Sequence, residues 1–270
     1  MTLKNKIDFA VVFSVNRANP NGDPLNGNRP RTTYDGIGEI SDVCLKRKIR
    51  NRLLDDGQAI FVQSDDYKVD ECKSLRERAE AVLSDKAIKN KAEGVCKKWF
   101  DVRAFGQVFA YSADKKGEGL SMPVRGPVSL HSAFSVERVD IASNQITKSV
   151  SGEGDGNKKT SDTMGMKHRV EKAIYTFYGS MNPQLATKTG FTDEDALLIK
   201  KVLPKLFEND ESSARPAGSM EILNVIWWQH NCPHGQYSSA KVHRSLKVSA
   251  DGTISIDKLD GLKPEIMNGF

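Results

Sequence analysis

The residues best suited to binding a polyanion are concentrated in residues 16–54 of the chain. The first part of this stretch is rich in asparagine, glycine, proline and arginine. The second part, residues 46–52, holds five basic residues within seven positions and no acid. Arginine suits phosphate because its planar guanidinium donates two parallel hydrogen bonds. Like charges four residues apart also destabilise a helix slightly, so an external anion would relieve them. Charge alone favours a phosphate-binding surface no more than an ordinary solvated face.

Three elements must position these residues. Residues 5–16 form a nearly continuous apolar run, which predicts a strand buried on both faces. A long loop follows as far as Gly38, and its prolines and Asn-Gly pairs favour a fixed shape over a flexible one. A helix comes next, with Ser41 as its N-cap and Gly57 beyond its end.

The predicted helix has two distinct sides. Leu45, Ile49 and Leu53 recur at the spacing of one helical face, so they are expected to face the core. The basic residues predicted on the opposite side are Lys46, Arg47 and Arg50.

A second unusual segment covers residues 141–169. Two alternating stretches flank a polar, glycine-rich tip at 151–159, which predicts a protruding β-hairpin. Its glycines do not form a phosphate-binding loop, because no Gly-Lys-Ser/Thr ending follows them. Beyond the tip lies Met-Gly-Met-Lys-His-Arg, residues 164–169, an apolar pair next to three potential cations.

The remaining pattern predicts one α+β domain over residues 1–270. Strands are expected at 100–111, 124–140, 173–179 and 220–230, with a turn at 115–119. Helices are expected at 73–98 and from Thr192 onwards, the latter kinked at Pro204. Without its insertions the order is strand, helix, strand, strand, helix, strand, which is the ferredoxin-like or RNA-recognition arrangement. The core is assigned to about 5–57, 100–140 and 170–235, with insertions at 58–100 and 141–169 and a C-terminal segment at 236–270.

Charge, cysteine content and the N-terminal sequence indicate the partners and the cellular compartment to expect. The net charge of +5 permits a polyanionic partner without requiring one. The four cysteines include no Cys-x-x-Cys pair, which argues against a zinc module and fits a reducing cytoplasm. The N-terminus lacks the apolar region of a secretory signal, and no apolar run is long enough to span a bilayer. A cytoplasmic protein without a membrane partner is therefore expected.

Six stretches of the chain together resemble the Cas-seven-type backbone subunit of type I CRISPR surveillance complexes (Cascade), in particular the subtype I-C form. These stretches are Asn19–Pro24, Gly27–Arg31, Ser41–Arg50, Asp101–Gly106, Arg125–Pro127 and Met164–Arg169. The family's strand motif often has leucine where this chain has Ala104.

The resemblance implies a fold and a role. The fold would be a modified RNA-recognition core, the palm, with a helical finger insertion at 58–100 and a β-hairpin thumb at 141–169. Several copies would stack head to tail along the CRISPR guide RNA (crRNA), which then pairs with target DNA. Further partners would be the Cas-five-type, large and small Cascade subunits, and a separate helicase-nuclease would cut the DNA. The subunit itself would be non-catalytic and need no cofactor or metal.

The resemblance also assigns roles to individual residues. A subunit that holds many different guides must contact phosphates and sugars, which position RNA without reading its sequence. Arg29, Arg31, Lys46, Arg47 and Arg50 are the expected phosphate contacts. Asn19, Asn21 and Asn26 would bond sugars or phosphates, with Gly22 allowing close approach. Met164, Gly165 and Met166 would form a wedge in the base stack, and Lys167, His168 and Arg169 would anchor the thumb. Packing of the methionines against the core is the competing interpretation.

Two other chemistries remain open. Some relatives of this family cut RNA with an acidic loop residue, so Asp23 and Asp35 are candidates for an endoribonuclease, with His168 as a possible general base. His230, Cys232 and His234 have the alternate spacing that would place three metal ligands on one face of a strand. However, the nearby Pro233 disfavours a regular strand, and no fourth ligand is evident.

Overall fold

The computed structural model describes residues 1–111, 120–147 and 164–270. The predicted turn at 115–119 and hairpin tip at 151–159 lie outside them. The helices in the described part are α1 (Asp42–Asp55), α2 (Leu75–Leu83), α3 (Lys91–Lys98), α4 (Phe100–Phe105), α5 (Pro183–Thr189), α6 (Asp193–Val202) and α7 (Ser239–Ser245). Its strands are β1 (Ile7–Ala18), β2 (Gly22–Asp23), β3 (Arg29–Pro30), β4 (Ile37–Ile40), β5 (Gly106–Tyr111), β6 (Leu120–Arg125), β7 (Val128–Leu130), β8 (Ala133–Arg138), β9 (Ile141–Thr147), β10 (Met164–Met181), β11 (Met220–Gln229), β12 (Leu246–Val248), β13 (Ile254–Ile256) and β14 (Glu265–Asn268).

A large antiparallel sheet organises the chain. Its strand order is β14-β11-β1-β10-β8-β4, and β7 and β9 also pair with β10. The first strand, β1, lies at the centre between β10 and β11. Most of its side chains are fully buried on both faces, which confirms the prediction from its apolar run.

The two faces of the sheet are covered by different parts of the chain. Helices α1 and α6 pack on one face, where Leu45, Ile49 and Leu53 join the main core as predicted. On the other face, the C-terminal residues form a second core in which Val242 of α7 packs with Trp228 of β11. The weakly alternating pattern after residue 236 gave no sign of this C-terminal cap, which we define as residues 238–262.

The insertion after α1 has a core of its own. Phe61, Trp99 and Phe109 pack there against α2, α3 and the β5–β6 hairpin. This core continues to Val124, beyond the predicted end of the insertion at residue 100. The single helix predicted at 73–98 is two helices, because α2 ends at Ser84 and α3 begins anew with Asn90 as its cap.

Two predicted strands differ from the structure. The strand expected from residue 100 begins as helix α4, and Gly106, with a φ of +81°, marks the change to strand β5. A Cβ at Gly106 would lie 2.4 Å from the Val124 carbonyl oxygen, so glycine is needed at this change of direction. The strand expected at 124–140 is divided into β6, β7 and β8: Gly126 and Pro127 separate β6 from β7, and a second break at residues 131–132 separates β7 from β8.

The predicted helix ends agree better with the structure. The Ser41 hydroxyl accepts a hydrogen bond from the Cys44 amide at the start of α1. Thr192 and Asp195 form a capping box at the start of α6. At Pro204 this helix does not kink, since it ends at Val202 and a 3₁₀ turn follows. In the described part of the chain, no helix combines the length and apolarity that crossing a membrane would require.

Candidate nucleic-acid interface

The loop after β1 and the strand pair β9–β10 begin at the same place on the sheet. Ala18, at the end of β1, pairs with Val170 of β10. From Arg169 towards Met164, β9 is the one strand among the described residues that pairs with β10, so these strands leave the sheet as a two-stranded ribbon. We define this ribbon as residues 141–147 and 164–170. Asn19, the first residue of the loop, therefore stands at the base of the ribbon.

The loop has the fixed shape that its sequence predicts. Strands β2 and β3 form a small hairpin within it, closed by a 3₁₀ turn that Asp23 caps. Gly22 is essential to this shape, because a Cβ there would lie 2.0 Å from the side-chain oxygen of Asn28. Asn28 itself has a φ of +58°, a conformation that asparagine tolerates better than most residues.

Two predicted contacts, Asn19 and Asn21, hold the loop together. The Asn19 side chain donates to the Asn28 carbonyl oxygen over 2.7 Å and is only 4% exposed. The Asn21 side-chain oxygen accepts from both the backbone amide and the hydroxyl of Ser41, each over 3.0 Å. Asn21 thus joins the loop to the first residue of the helix. The Asn19 side chain is buried in this conformation, so its observed role is to hold the loop.

The basic run in α1 divides into inward and outward residues. Arg47 is exposed, and Lys46 is partly exposed and paired with Asp42 over 2.8 Å. Lys48 is buried and forms an ion pair with Asp210. These positions leave Lys46 and Arg47 as the cations that the helix presents to solvent beside the loop.

Arg50 was predicted on the outer side of α1 and is instead buried. Its Nε donates to Asp101 over 2.9 Å, and its guanidinium lies 5.2 Å from the ring centre of Phe105. Asp101 also accepts hydrogen bonds from the amides of Phe61 and Val62. Arg50 thus connects α1 to the insertion, and a phosphate contact at this residue would require its pair with Asp101 to open.

The other predicted loop residues remain accessible. Asn26 is exposed, and Arg29 is half-buried. Arg31 is partly exposed, and one of its terminal nitrogens lies 3.5 Å from the Asp23 carboxylate. The Arg31 Nε is buried and has no hydrogen-bond partner among the described residues. Such an unpaired donor is costly, so it favours a ligand or water in this place.

The ribbon presents apolar side chains on both faces. The side chains of Met164 and Met166 lie on the same face of the ribbon and are 56% and 55% exposed. Ile146 pairs with Gly165, so its side chain lies on the other face, where it is 51% exposed. These exposures disagree with the alternative that the methionines pack on the core. Large exposed apolar side chains on a protruding ribbon are typical of a contact surface.

The base of the ribbon is fixed by polar contacts. His168 is buried, and its Nδ1 lies 2.8 Å from the hydroxyl of Ser143 on β9. Arg169 pairs with Glu171 over 3.0 Å, and Lys167 is exposed. His168 and Arg169 thus make contacts within the base of the ribbon, and Lys167 extends into solvent.

Sequence reasoning missed Arg17. This residue has a φ of +52° and lies between the paired residues Asn16 and Ala18 at the base of the ribbon. Its side chain is 72% exposed and lies 3.7 Å from Glu171. A single arginine near the end of an apolar run carries no signal of its own, so only the strand pairing reveals its place.

The residues of the rival chemistries have ordinary structural roles. Asp23 caps the 3₁₀ turn, and Asp35 is exposed at the turn beside Gly36. His230 is buried, with one ring nitrogen 2.9 Å from Asp8 and the other accepting from the Gln236 amide. Within the described ranges, no group of three or more His, Cys, Asp or Glu residues could hold a metal ion.

Comparison with known proteins gives consistent results. The family model described as CRISPR-associated protein Cas7 matches residues 5–263. A relative from Haloferax volcanii, described as CRISPR-associated protein Cas7, is 26% identical over 272 aligned residues, which cover 95% of this chain and 79% of the relative. A chain in a solved structure of a CRISPR RNA-guided surveillance complex, pre-nicking, has a similar fold, with a TM-score of 0.51. It is 14% identical, and the match covers 83% of this chain and 78% of that one.

Proposed function

Because the chain belongs to the CRISPR-associated protein Cas7 family, we propose that it is a non-catalytic backbone subunit that holds crRNA between the loop at residues 16–38, helix α1 and the ribbon. The observation that carries this proposal is the pairing of Ala18 with Val170, since it places the loop and the ribbon side by side. The hydrogen bonds from Ser41 to Asn21 add the start of α1 to the same surface. We name this surface the clamp.

The clamp would hold RNA by its phosphates and sugars. Its proposed phosphate contacts are Arg29, Arg31, Lys46, Arg47 and Lys167, with Asn26 and the newly identified Arg17 beside them. Asn21, Gly22 and the buried Asn19 would act through the shape of the loop. Such contacts position a strand without reading bases, as many different guides require.

The ribbon would interrupt the base stack. Met164 and Met166 are the proposed wedge, because they are exposed and share one face. Gly165 lies between them on the opposite face of the ribbon, next to Ile146. Inserted apolar side chains unstack neighbouring bases in other nucleic-acid complexes. His168 and Arg169 would fix the base of the ribbon.

The proposal includes a finer description of the fold and its assembly. The order β11-β1-β10-β8, with α1 after β1 and α6 before β11, supports a ferredoxin-like palm, with the ribbon as thumb and the insertion as finger. Several copies would bind head to tail along one crRNA, together with the Cas-five-type, large and small subunits. The guide would then pair with target DNA, and a separate helicase-nuclease would cut it. The similar chain from a CRISPR RNA-guided surveillance complex fits this assignment.

A charge-reversal experiment tests the clamp. Lys46→Glu combined with Arg47→Glu should lower the affinity for crRNA at least tenfold while leaving the melting temperature unchanged. The slope of log affinity against log salt should fall by about 1.4, because each phosphate contact to a single strand contributes about 0.7. The matched control is Lys188→Glu with Lys263→Glu, which changes the net charge by the same amount at two exposed positions outside the clamp. Equal effects of the two pairs would contradict the proposal.

RNA integrity tests the non-catalytic part. We expect the purified protein to protect crRNA at regular intervals and to leave it uncut with or without Mg²⁺. Specific cleavage that is lost in Asp23→Ala or Asp35→Ala would instead support the endoribonuclease alternative. Melting curves of both variants would separate loss of chemistry from loss of the turns that these residues occupy.

A further inference from the structure

The second face of the sheet carries a groove that the C-terminal cap leaves open. It runs between β8, β10 and the end of β12. One half is a hollow of about 370 Å³ lined by aromatic and hydroxyl side chains, among them Phe134, Thr176 and Tyr178. The other half, about 190 Å³, shares Val136 with the first and is lined by Arg138 and Lys172 among others. The larger hollow is at the lower end of the size range of ligand pockets, roughly 300–1,000 Å³.

Strand register places lining residues of both halves on one face of the sheet, with Ile174, which is 6% exposed beneath the C-terminal cap, between them on β10. Phe134 lies directly opposite Thr176. Residues two apart in a strand share a face, so Lys172, Thr176 and Tyr178 of β10 all point into the groove. The distance along β10 from residue 172 to 178 is about 20 Å at the usual rise per residue. That length accommodates a few nucleotides of an extended single strand.

The aromatic half offers surfaces for stacking. Phe134 is 43% exposed, so its ring is accessible from the groove. Tyr178 is held in place, since its ring stacks on His243 of α7 at a centroid distance of 4.8 Å and an angle of 25°. His131 is exposed and lies edge-on to both Tyr178 and His243. A fixed ring beside an exposed one is a suitable platform for a nucleobase.

The other half supplies charge. Arg138 and Lys172 are both exposed, and Glu137 also borders the hollow, which leaves one net positive charge. In the described part of the chain neither Arg138 nor Lys172 forms an ion pair. An aromatic platform that continues into unpaired cations is the combination that binds single-stranded nucleic acid without sequence preference.

Thr176 adds an observation from the floor of the groove. It is 8% exposed, and its hydroxyl has no hydrogen-bond partner among the described residues. Thr176 also borders the larger hollow, so its hydroxyl lies close to any ligand that occupies the groove. A buried unpaired hydroxyl costs stability, so a ligand that bonds it would gain from the interaction.

We propose that this groove is a second binding site for a short segment of single-stranded nucleic acid, separate from the clamp. A base would stack on Phe134 and Tyr178, and the following phosphates would lie against Lys172 and Arg138. This inference does not depend on the function proposed for the clamp, because it uses the opposite face of the sheet from α1.

Photo-crosslinking of the full chain tests where single strands bind. The probes are ten-nucleotide oligothymidylate and oligouridylate that carry 5-iodouracil in place of one base, which also distinguishes DNA from RNA. We expect crosslinked peptides that contain Phe134 or Tyr178, and we expect them to persist in the Lys46→Glu, Arg47→Glu variant. Crosslinks confined to the clamp would overturn the proposal.

Three groove variants test the contacts. Phe134→Ala should weaken oligonucleotide affinity about tenfold, as loss of one stacked base does. Arg138→Glu with Lys172→Glu should reduce the salt slope by about 1.4. Thr176→Val should weaken binding severalfold without lowering the melting temperature, because it removes only an unpaired hydroxyl. A purely structural Thr176 would leave binding unchanged in that variant.

The outcomes against the proposal are equally specific. Unchanged affinity and salt slope in both Phe134→Ala and the charge-reversal pair would exclude the groove as a nucleic-acid site. Displacement of the oligonucleotide by an equal concentration of a polyglutamate peptide would show a general anion or peptide surface instead. The Lys188→Glu, Lys263→Glu pair again serves as the charge control.

Discussion

Arg50 offers a sharp test, because sequence and structure assign it opposite roles. The sequence places it among the phosphate-binding cations, whereas the structure buries it against Asp101. Replacing Arg50 with alanine should therefore damage the fold, and replacing the exposed Arg47 with alanine should damage RNA binding only. The two residues are three positions apart on one helix, so each is the natural control for the other.

The magnitude follows from the burial of the pair. The Arg50 and Asp101 side chains are 10% and 1% exposed, so water screens their interaction little. Removing one partner of such a buried pair typically costs about 3–5 kcal/mol, because the other charge remains uncompensated. Asp101 would keep its hydrogen bonds from Phe61 and Val62, which favours the lower half of this range. For Arg47→Ala, an exposed change, the expected cost is below about 0.5 kcal/mol.

Unfolding in urea measures the loss of stability expected for Arg50→Ala, and RNA titration measures the loss of affinity expected for Arg47→Ala. A cost of about 3–4 kcal/mol, at about 2–4 °C per kcal/mol for a chain of this size, should also lower the melting temperature of Arg50→Ala by roughly 6–16 °C. Below its transition, the surviving folded protein should bind RNA with nearly the affinity of the wild type. Arg47→Ala should melt like the wild type and bind RNA more weakly.

One result would refute this reasoning. If Arg50→Ala unfolded at the same urea concentration as the wild type and lost RNA affinity as Arg47→Ala does, Arg50 would contact phosphate in the functional state. Its pairing with Asp101 would then be a resting contact that RNA displaces.

Three further predictions concern the loop, a buried carboxylate and the cysteines. Asn21→Ala removes two hydrogen bonds to Ser41 and should cost about 1–3 kcal/mol of stability in urea, with weaker RNA binding because the loop separates from α1. Unchanged RNA affinity in a stable Asn21→Ala protein would contradict the role of this link. Burial alone would raise the pKa of Asp8, but the hydrogen bond from His230 and the nearby polar groups of His243, Ser239 and Lys6 outweigh it and hold the pKa well below its usual range. Its stabilising effect is then present above the unfolded value of 3.8 and is lost as the pH falls, so urea unfolding between about pH 5 and 3 should show a steeper loss for the wild type than for Asp8→Asn. Equal pH slopes would show that Asp8 is not the group responsible. Burial raises the pKa of the Cys96 thiol to about 11 and also raises the pKa of the Cys44 thiol, so iodoacetamide near pH 8 should label the partly exposed Cys72 and Cys232 first, as mass spectrometry of the labelled peptides can check.

Local signals in the sequence predicted local structure well. The N-caps at Ser41 and Thr192 were correct because a cap depends on residues three positions away. The central position of β1 followed from its continuous apolar run, and the apolar face of α1 followed from the spacing of its leucines and isoleucine.

Features that depend on distant residues could not be predicted. Whether Arg50 faces inwards is decided by Asp101, which lies 51 positions further along the chain. The segment from Phe100 to Phe105 is apolar enough for either a strand or a helix, and its packing against the insertion decides for the helix. The C-terminal cap was missed because its apolar residues are widely spaced and meet only on the sheet.

The candidate site was predicted in outline. The loop, α1 and the Met-Gly-Met segment were all singled out from residue type, and the structure brings the loop and the base of the ribbon together at Ala18 and Val170. The sequence did not show which asparagines stabilise the loop and which contact a ligand, because both kinds look the same in sequence. Asn19 and Asn21 belong to the first kind.

The length of β10 has a mechanical consequence. This strand runs for 18 residues without a break, so one continuous strand passes from the ribbon into the centre of the sheet. Its pairing with β1 fixes which residues face each core, and a slip of one residue would turn Tyr175 and Phe177 to the wrong face. The ribbon can therefore bend but cannot slide along the sheet. Any change in its length must come in steps of two residues, because a single inserted residue would move Met164 and Met166 to its opposite side.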